Sequence, residues 1–163
     1  IGQDALLTTP IQMANMTAAI ANRGYYYTPH IIKSIENDSI DDRFRKPIRT
    51  KVDSSLFEIV IKGMQEVVED EELGTSNIAK MENYTVCGKT GTAQNPHGED
   101  HSIFIGFAPK DNPKIALAVY VENGGWGSTW AVPIGSLMIE KYLNDTIERD
   151  WLEKKIVEGV IEY

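Results

Sequence analysis

Three short runs in the second half of the chain leave little choice of architecture. Residues 84–94, 102–108 and 115–121 are bounded by turn formers and carry the β-branched and aromatic side chains that favour strands. The first link holds Asn95-Pro96-His97-Gly98, and the second, residues 109–113, has a proline at each end. Links this short cannot contain the crossover that parallel neighbours require, so the strands are expected to be antiparallel.

Helices are expected on either side. Thr9-Pro10-Ile11-Gln12 reads as a helix start, with Thr9 as N-cap, Pro10 in the first turn and Gln12 completing a capping box. That helix should run to about Asn22 and stop at Gly24. Ala14, Ala18, Ala19 and Ala21 keep it slim, suited to close packing. Residues 30–35 read as a short strand and residues 37–51 as a polar, irregular stretch. A second helix should begin near Asp53 or Ser55 and end before Gly74-Thr75-Ser76. Its Leu56, Phe57, Val60, Ile61, Met64, Val67 and Val68 form one stripe, expected to be core. Beyond the strands, a glycine-rich loop at residues 122–127 precedes a helix entered at Pro133 and continuing through Ile134, Leu137, Met138 and Tyr142. Residues 151–163 predict a further amphipathic helix. The expected class is α+β, one domain over residues 1–163.

Composition excludes some functions. With 42% hydrophobic and 25% charged residues the chain is an ordinary globular one. A net charge of -8 argues against a broad nucleic-acid surface. The acidic run at residues 69–72 reads as a solvated helix end. The one cysteine, Cys87, excludes an internal disulfide and is expected to be inert packing. No stretch approaches the roughly 18 to 20 apolar residues of a membrane span. The chain opens with Ile1-Gly2-Gln3 and no initiator methionine, from which we expect a piece of a longer protein.

Chemistry concentrates in Cys87-Gly88-Lys89-Thr90-Gly91-Thr92-Ala93-Gln94. In an extended strand Lys89 and Gly91 point one way, and Thr90 and Thr92 the other. Glycine within a strand weakens it and often marks close approach by a ligand or another backbone. An ammonium, two hydroxyls and main-chain N–H groups suit an extended substrate ending in a carboxylate. The plainer reading is an edge strand that happens to carry Lys and Thr. Gly88-Lys89-Thr90 also matches the end of a phosphate-binding loop. That pattern needs glycine where this chain has Asn83, and a helix start where Gly91 and Asn95-Pro96 stand instead. His97 and His101 are four apart, which brings metal ligands together only on a helix. Pro96 and Gly98 argue against one, so neither a metal site nor a cofactor is expected. His30 reads as structural.

In order along the chain, Ile1-Gly2-Gln3 with Thr9-Pro10-Ile11-Gln12, the Gly88 to Gln94 stretch, Phe104-Ile105-Gly106-Phe107-Ala108-Pro109 and Val121-Glu122-Asn123-Gly124-Gly125 resemble the C-terminal part of a class B penicillin-binding protein, a peptidoglycan D,D-transpeptidase. Asp100-His101 and Glu122-Asn123-Gly124-Gly125 resemble the elongation-type penicillin-binding protein 2 more than the division type. The resemblance implies the fold shared with serine β-lactamases. It also implies acyl transfer through a serine of Ser-x-x-Lys on D-Ala-D-Ala stem peptides or β-lactams, aided by Ser-x-Asn and Lys-Thr-Gly. Only the third motif is present: none of the eight serines has a lysine three places on, and Ser-x-Asn is absent. By resemblance, Lys89 steers the substrate carboxylate and supports the serine's proton network, while Thr90 and Thr92 hold the carboxylate. Gly91 leaves room for the substrate backbone, which lies along the strand through Ala93 and Gln94. The Thr92 N–H serves as one oxyanion donor. The resemblance further implies a membrane-anchored parent at the outer face of the bacterial cytoplasmic membrane, working with the cell-elongation machinery.

A rival reading of another class is a non-catalytic module that holds a peptide C-terminus on the same strand. Ser-x-x-Lys upstream of Ile1 in the reading frame would decide for the enzyme; a natural start there would decide for the module. Residues 115–121 are apolar at every position, so both faces should be covered and the strand central in the complete domain. The family's N-terminal strand being absent, this piece should hide the strand's second edge by self-association or under residues 151–163.

Overall fold

The computed structural model describes residues 6–161, so Ile1-Gly2-Gln3 and the last two residues lie outside the described part. Helix α1 (Pro10–Ala21) begins where the sequence places it: Gln12 Oε1 accepts from the Thr9 N–H at 2.8 Å. It ends with Gly24 at φ +106, whose N–H bonds to the Ala19 carbonyl at 2.8 Å. That left-handed turn suits a residue without Cβ. Strand β1 (Tyr25–Tyr26) follows, then the short helix α2 (Asp42–Arg45) and strand β2 (Ile48–Arg49), which pairs antiparallel with β1.

Helix α3 (Ser54–Glu69) is capped by Asp53, whose carboxylate accepts from the Ser55 N–H. A single 3-10 turn (Asn77–Ala79) leads toward strand β3 (Cys87–Ala93). Strands β4 (His101–Ala108) and β5 (Ile115–Val121) complete an antiparallel sheet in the order β3-β4-β5. Helices α4 (Ala131–Asn144) and α5 (Asp150–Val157) close the chain.

The strand period assigns neighbouring residues to opposite faces, and each face has its own core. On one, Cys87 and Phe107 pack with Ala21 of α1 and with Ile61 and Met64 of α3. On the other, Phe104 and Val119 pack with Ala131, Val132 and Ile139 of α4 and with Val68. Phe104 is fully buried, over the cross-strand pair Gly88 and Gly106 and against Gly135 of α4. A Cβ built on any of these three glycines would stand 2.5–2.8 Å from the ring. The conformational cost of glycine in strand and helix is thus offset by the room it gives one large aromatic.

Several sequence expectations need correction. Residues 30–35 form no strand, only an isolated bridge from Ile35 to Asp38; the strand lies earlier, at β1. The stretch expected to be irregular contains α2 and β2. The α3 stripe is not all core: Ile61, Met64 and Val68 are buried, but Leu56 and Val60 are exposed, because the sheet beneath covers only part of the apolar arc. As expected of this piece, β5 is an edge strand among the described residues, and both its faces are apolar because α1 lies on one and α4 on the other. Helix α5 is shorter than expected and packs on α4, and among the described residues no main-chain hydrogen bond joins the tail to the β5 edge.

One buried ion pair ties the tail to the approach to β3. Glu140 of α4, only 3% exposed, accepts from Arg149 Nε at 2.8 Å and from the N–H groups of Glu148 and Arg149. Arg149 Nη1 then donates to the Ile78 carbonyl in the 3-10 turn at 2.7 Å.

Candidate functional site

The predicted site residues lie on β3, the opposite edge of the sheet from β5. Lys89 and Gln94 are exposed, while Thr90, Gly91, Thr92 and Ala93 are half-buried; Gln94 lies just past the strand. The Lys89 ammonium turns back on its own strand, donating to the Thr90 carbonyl at 2.9 Å and reaching Thr90 Oγ1 at 3.4 Å. Thr90 Oγ1 also pairs with Thr75 Oγ1 at 3.0 Å. An ammonium and two hydroxyls therefore form one connected polar group. The alternation read from the sequence holds: Thr90 and Thr92 share the face of Phe104 and Ser102, their register partners.

Opposite the strand stands a wall made by Trp126, Gly127 and Ser128. With Thr75, Lys89, Thr90, Gly91 and Thr92 they enclose a cavity of about 300 Å3. Gly127 is essential to this closeness, because a Cβ there would stand 2.6 Å from the Ile103 carbonyl oxygen and 2.7 Å from that of Gly91. The buried Ser102 fixes the loop: its hydroxyl donates to the Trp126 carbonyl at 2.9 Å and accepts from the Ala131 N–H at 3.1 Å. Further back, Asn95 Nδ2 donates to Asn123 Oδ1 at 2.8 Å, and the Asn123 N–H donates to His101 Nδ1 at 3.1 Å. The Gly125 N–H donates to the Asp100 carbonyl at 2.7 Å. The β3–β4 turn and the glycine-rich loop are held together.

Sequence reasoning missed Thr75 and the Trp126 to Ser128 wall. Gly74-Thr75-Ser76 reads locally as a helix terminator, and nothing in its composition reveals that Thr75 will meet Thr90. The histidines fall elsewhere: His30 bonds to the Thr28 carbonyl and packs on Phe44, and His101 packs on Tyr120. Among the described residues no group of three or more His, Cys, Asp or Glu side chains could hold a metal ion. Cys87, the first residue of β3, is buried against α1 and α3, and burial pushes its thiol up to about 12.

Residues 1–140 match the family model described as the penicillin-binding protein transpeptidase domain, and the chain belongs to that family. It is 34% identical to the peptidoglycan D,D-transpeptidase MrdA of Haemophilus influenzae, over 90% of this chain and 25% of that protein. In structure it resembles Pseudomonas aeruginosa PBP2, solved in complex with WCK 5153, with a TM-score of 0.77 and 36% identity over 93% of this chain and 33% of that one. It also resembles the PBP2 of a Helicobacter pylori PBP2–MreC complex, with a TM-score of 0.69 and 28% identity over 89% of this chain and 26% of that one. The chain thus spans a quarter to a third of these three proteins.

Proposed function

We propose that this chain supplies the substrate-binding strand of a serine D,D-transpeptidase that cross-links peptidoglycan stem peptides and is acylated by β-lactams. The observation that carries the reading is the connected Lys89–Thr90–Thr75 group on an open sheet edge beside a cavity of about 300 Å3. Three neighbouring hydroxyls, those of Thr75, Thr90 and Thr92, and one ammonium suit the carboxylate that ends both a D-Ala-D-Ala peptide and a penicillin.

The strand orientation supports the oxyanion role of Thr92. In an antiparallel ladder the N–H and C=O of one residue point to the same side. On this reading the Thr90 carbonyl that Lys89 meets, and with it the main-chain groups of Thr92 two residues on, lie on the side of β3 away from β4. The substrate carbonyl would lie there, with its developing negative charge met by the Thr92 N–H, a contact of a kind whose loss costs about 3 kcal/mol. The attacking serine and its lysine base come from outside these 163 residues, as does the second oxyanion donor. Serine Oγ would bond to the penultimate D-Ala carbonyl carbon, terminal D-Ala leaving with a proton. A neighbouring stem amine would then take the acyl group and release the serine. Gly91 and the residues through Gln94 hold the extended donor. No metal or cofactor is required by these steps. The complete protein would work outside the cytoplasmic membrane with cell-elongation partners.

The test is a fluorescent penicillin followed on a denaturing gel. The complete protein should form a stable labelled band, and the 163-residue chain alone should form none. Lys89→Ala in the complete protein should slow labelling about 100-fold or more, with little change in folding, since exposed charges contribute little to stability. Labelling of the isolated chain would reveal a nucleophile within it, and undiminished labelling of the variant would remove Lys89 from the chemistry.

A further inference from the structure

The run from Gly74 to Asn77 is fastened to the end of α3 by every residue except Thr75. The last carbonyls of a helix have no partner within it, and here three of them are met by this run. The Val67 carbonyl accepts from the Ser76 N–H at 3.0 Å, and the Asp70 carbonyl from the Gly74 N–H at 3.0 Å. Asn77 adds its side chain: Nδ2 donates to the Val68 carbonyl at 3.1 Å and to the Asp70 carbonyl at 2.6 Å. A side-chain amide nitrogen carries two hydrogens, and both have an acceptor. Gly74 lies so close that a Cβ there would stand 2.2 Å from the Asp70 carbonyl oxygen and 2.6 Å from Asn77 Nδ2. Thr75 sends its side chain the other way, to Thr90 Oγ1 at 3.0 Å.

That contact decides where the Thr90 hydroxyl points. A hydroxyl has one hydrogen to give and two lone pairs with which to accept. Thr90 Oγ1 has two neighbours able to donate to it, Thr75 Oγ1 at 3.0 Å and Lys89 Nζ at 3.4 Å. With its lone pairs so engaged, its hydrogen is left for the cavity, where the proposed function puts the ligand carboxylate. If the Thr75 hydroxyl moves away, that hydrogen is no longer directed. We infer that Asn77 is a positioning residue for carboxylate binding: its amide mounts residues 74–77 on the end of α3 and so holds Thr75 where it donates to Thr90. Asn77 does not line the cavity, so its action runs through Thr75. The role needs an amide, because an aspartate of the same shape would turn oxygen toward carbonyl oxygen. It rests on the proposed reading of the site and adds to it a residue from outside the cavity.

The experiment is a double-variant cycle on the complete protein, read as the half-saturating concentration and the limiting rate of labelling by a fluorescent penicillin. Thr75→Val keeps the shape and loses the hydroxyl, and should raise the half-saturating concentration about tenfold. Asn77→Asp should raise it about fivefold, and each single variant should keep the limiting rate within about threefold. Adding Asn77→Asp to Thr75→Val should change it by less than about twofold, because no hydroxyl is then left to place. An asparagine with a merely structural role would weaken labelling alike in both backgrounds. Thermal melts establish which variants are folded at the assay temperature. If Asn77→Asp is not, Asn77→Ala runs the same cycle, since it removes the donor without setting a charge against the carbonyls. Equal losses in the two backgrounds, or wild-type binding by either single variant, overturn the positioning role, while slowed labelling of Lys89→Ala leaves the site reading intact. Failure of the wild-type protein to label at all overturns both together.

Discussion

Replacing Gly88 by Ala tests the core directly beneath the site. The new methyl would be built 2.5 Å from both Cε2 and Cζ of Phe104, where unstrained carbon contacts lie at about 3.5–4.0 Å. The ring must therefore retreat by about 1 Å. It has nowhere to go, because Phe104 is fully buried and Gly106 and Gly135 already stand against it at distances that leave no room for a methyl. Overpacking of this kind costs about 1–3 kcal/mol, offset by about 0.4–1 kcal/mol from the stiffer unfolded chain. A net loss of about 1–2 kcal/mol corresponds to a fall in Tm of about 2–8 °C at this chain length. Calorimetric or circular-dichroism melts of wild type, Gly88→Ala, Phe104→Leu and the double variant would measure it. Since the smaller leucine leaves space for the methyl, the double variant should be more stable than the sum of the single losses implies, by about 0.5–2 kcal/mol. Additive losses, or an unchanged Tm in Gly88→Ala, would refute the packing argument.

Glu140→Ala should destabilise the chain by about 3–5 kcal/mol, since it leaves the Arg149 guanidinium and two N–H groups without their buried acceptor; urea unfolding gives the number, and a loss below 1 kcal/mol would contradict it. Cys87 should resist a thiol reagent at pH 8 while folded and react at once in denaturant. Its folded pKa of about 12 stands above the ordinary value of 9.0, so the stability tied to the neutral thiol is complete below pH 9 and is lost as pH rises toward 12; prompt alkylation of the native chain would refute the burial. The outer edge of β5 presents alternate main-chain groups that neither α5 nor another strand pairs among the described residues. Light scattering of the isolated chain should therefore show self-association, with alternate amides of Ile115–Val121 protected in hydrogen exchange; a monomer with those amides unprotected would refute it.

Sequence alone determined the elements whose signals are local. The end of α1 at Gly24, the Asp53 cap of α3 and the bounds of β5 follow from side-chain spacing, capping chemistry and turn formers within a few residues of each position. The same locality made Lys89, Thr90, Gly91 and Thr92 legible, because alternation along one strand fixes their faces without reference to any partner. Tertiary structure decided what depends on which surfaces meet. Tyr25 and Tyr26 became a strand because Ile48 and Arg49 came to pair with them, and Leu56 and Val60 stayed exposed because the sheet covers only part of the helix above it. Thr75 joined Thr90, and Trp126 came to wall the cavity, through contacts between residues far apart in sequence. The free energy of such contacts belongs to the closed shape of the whole domain, and no short stretch of sequence carries it.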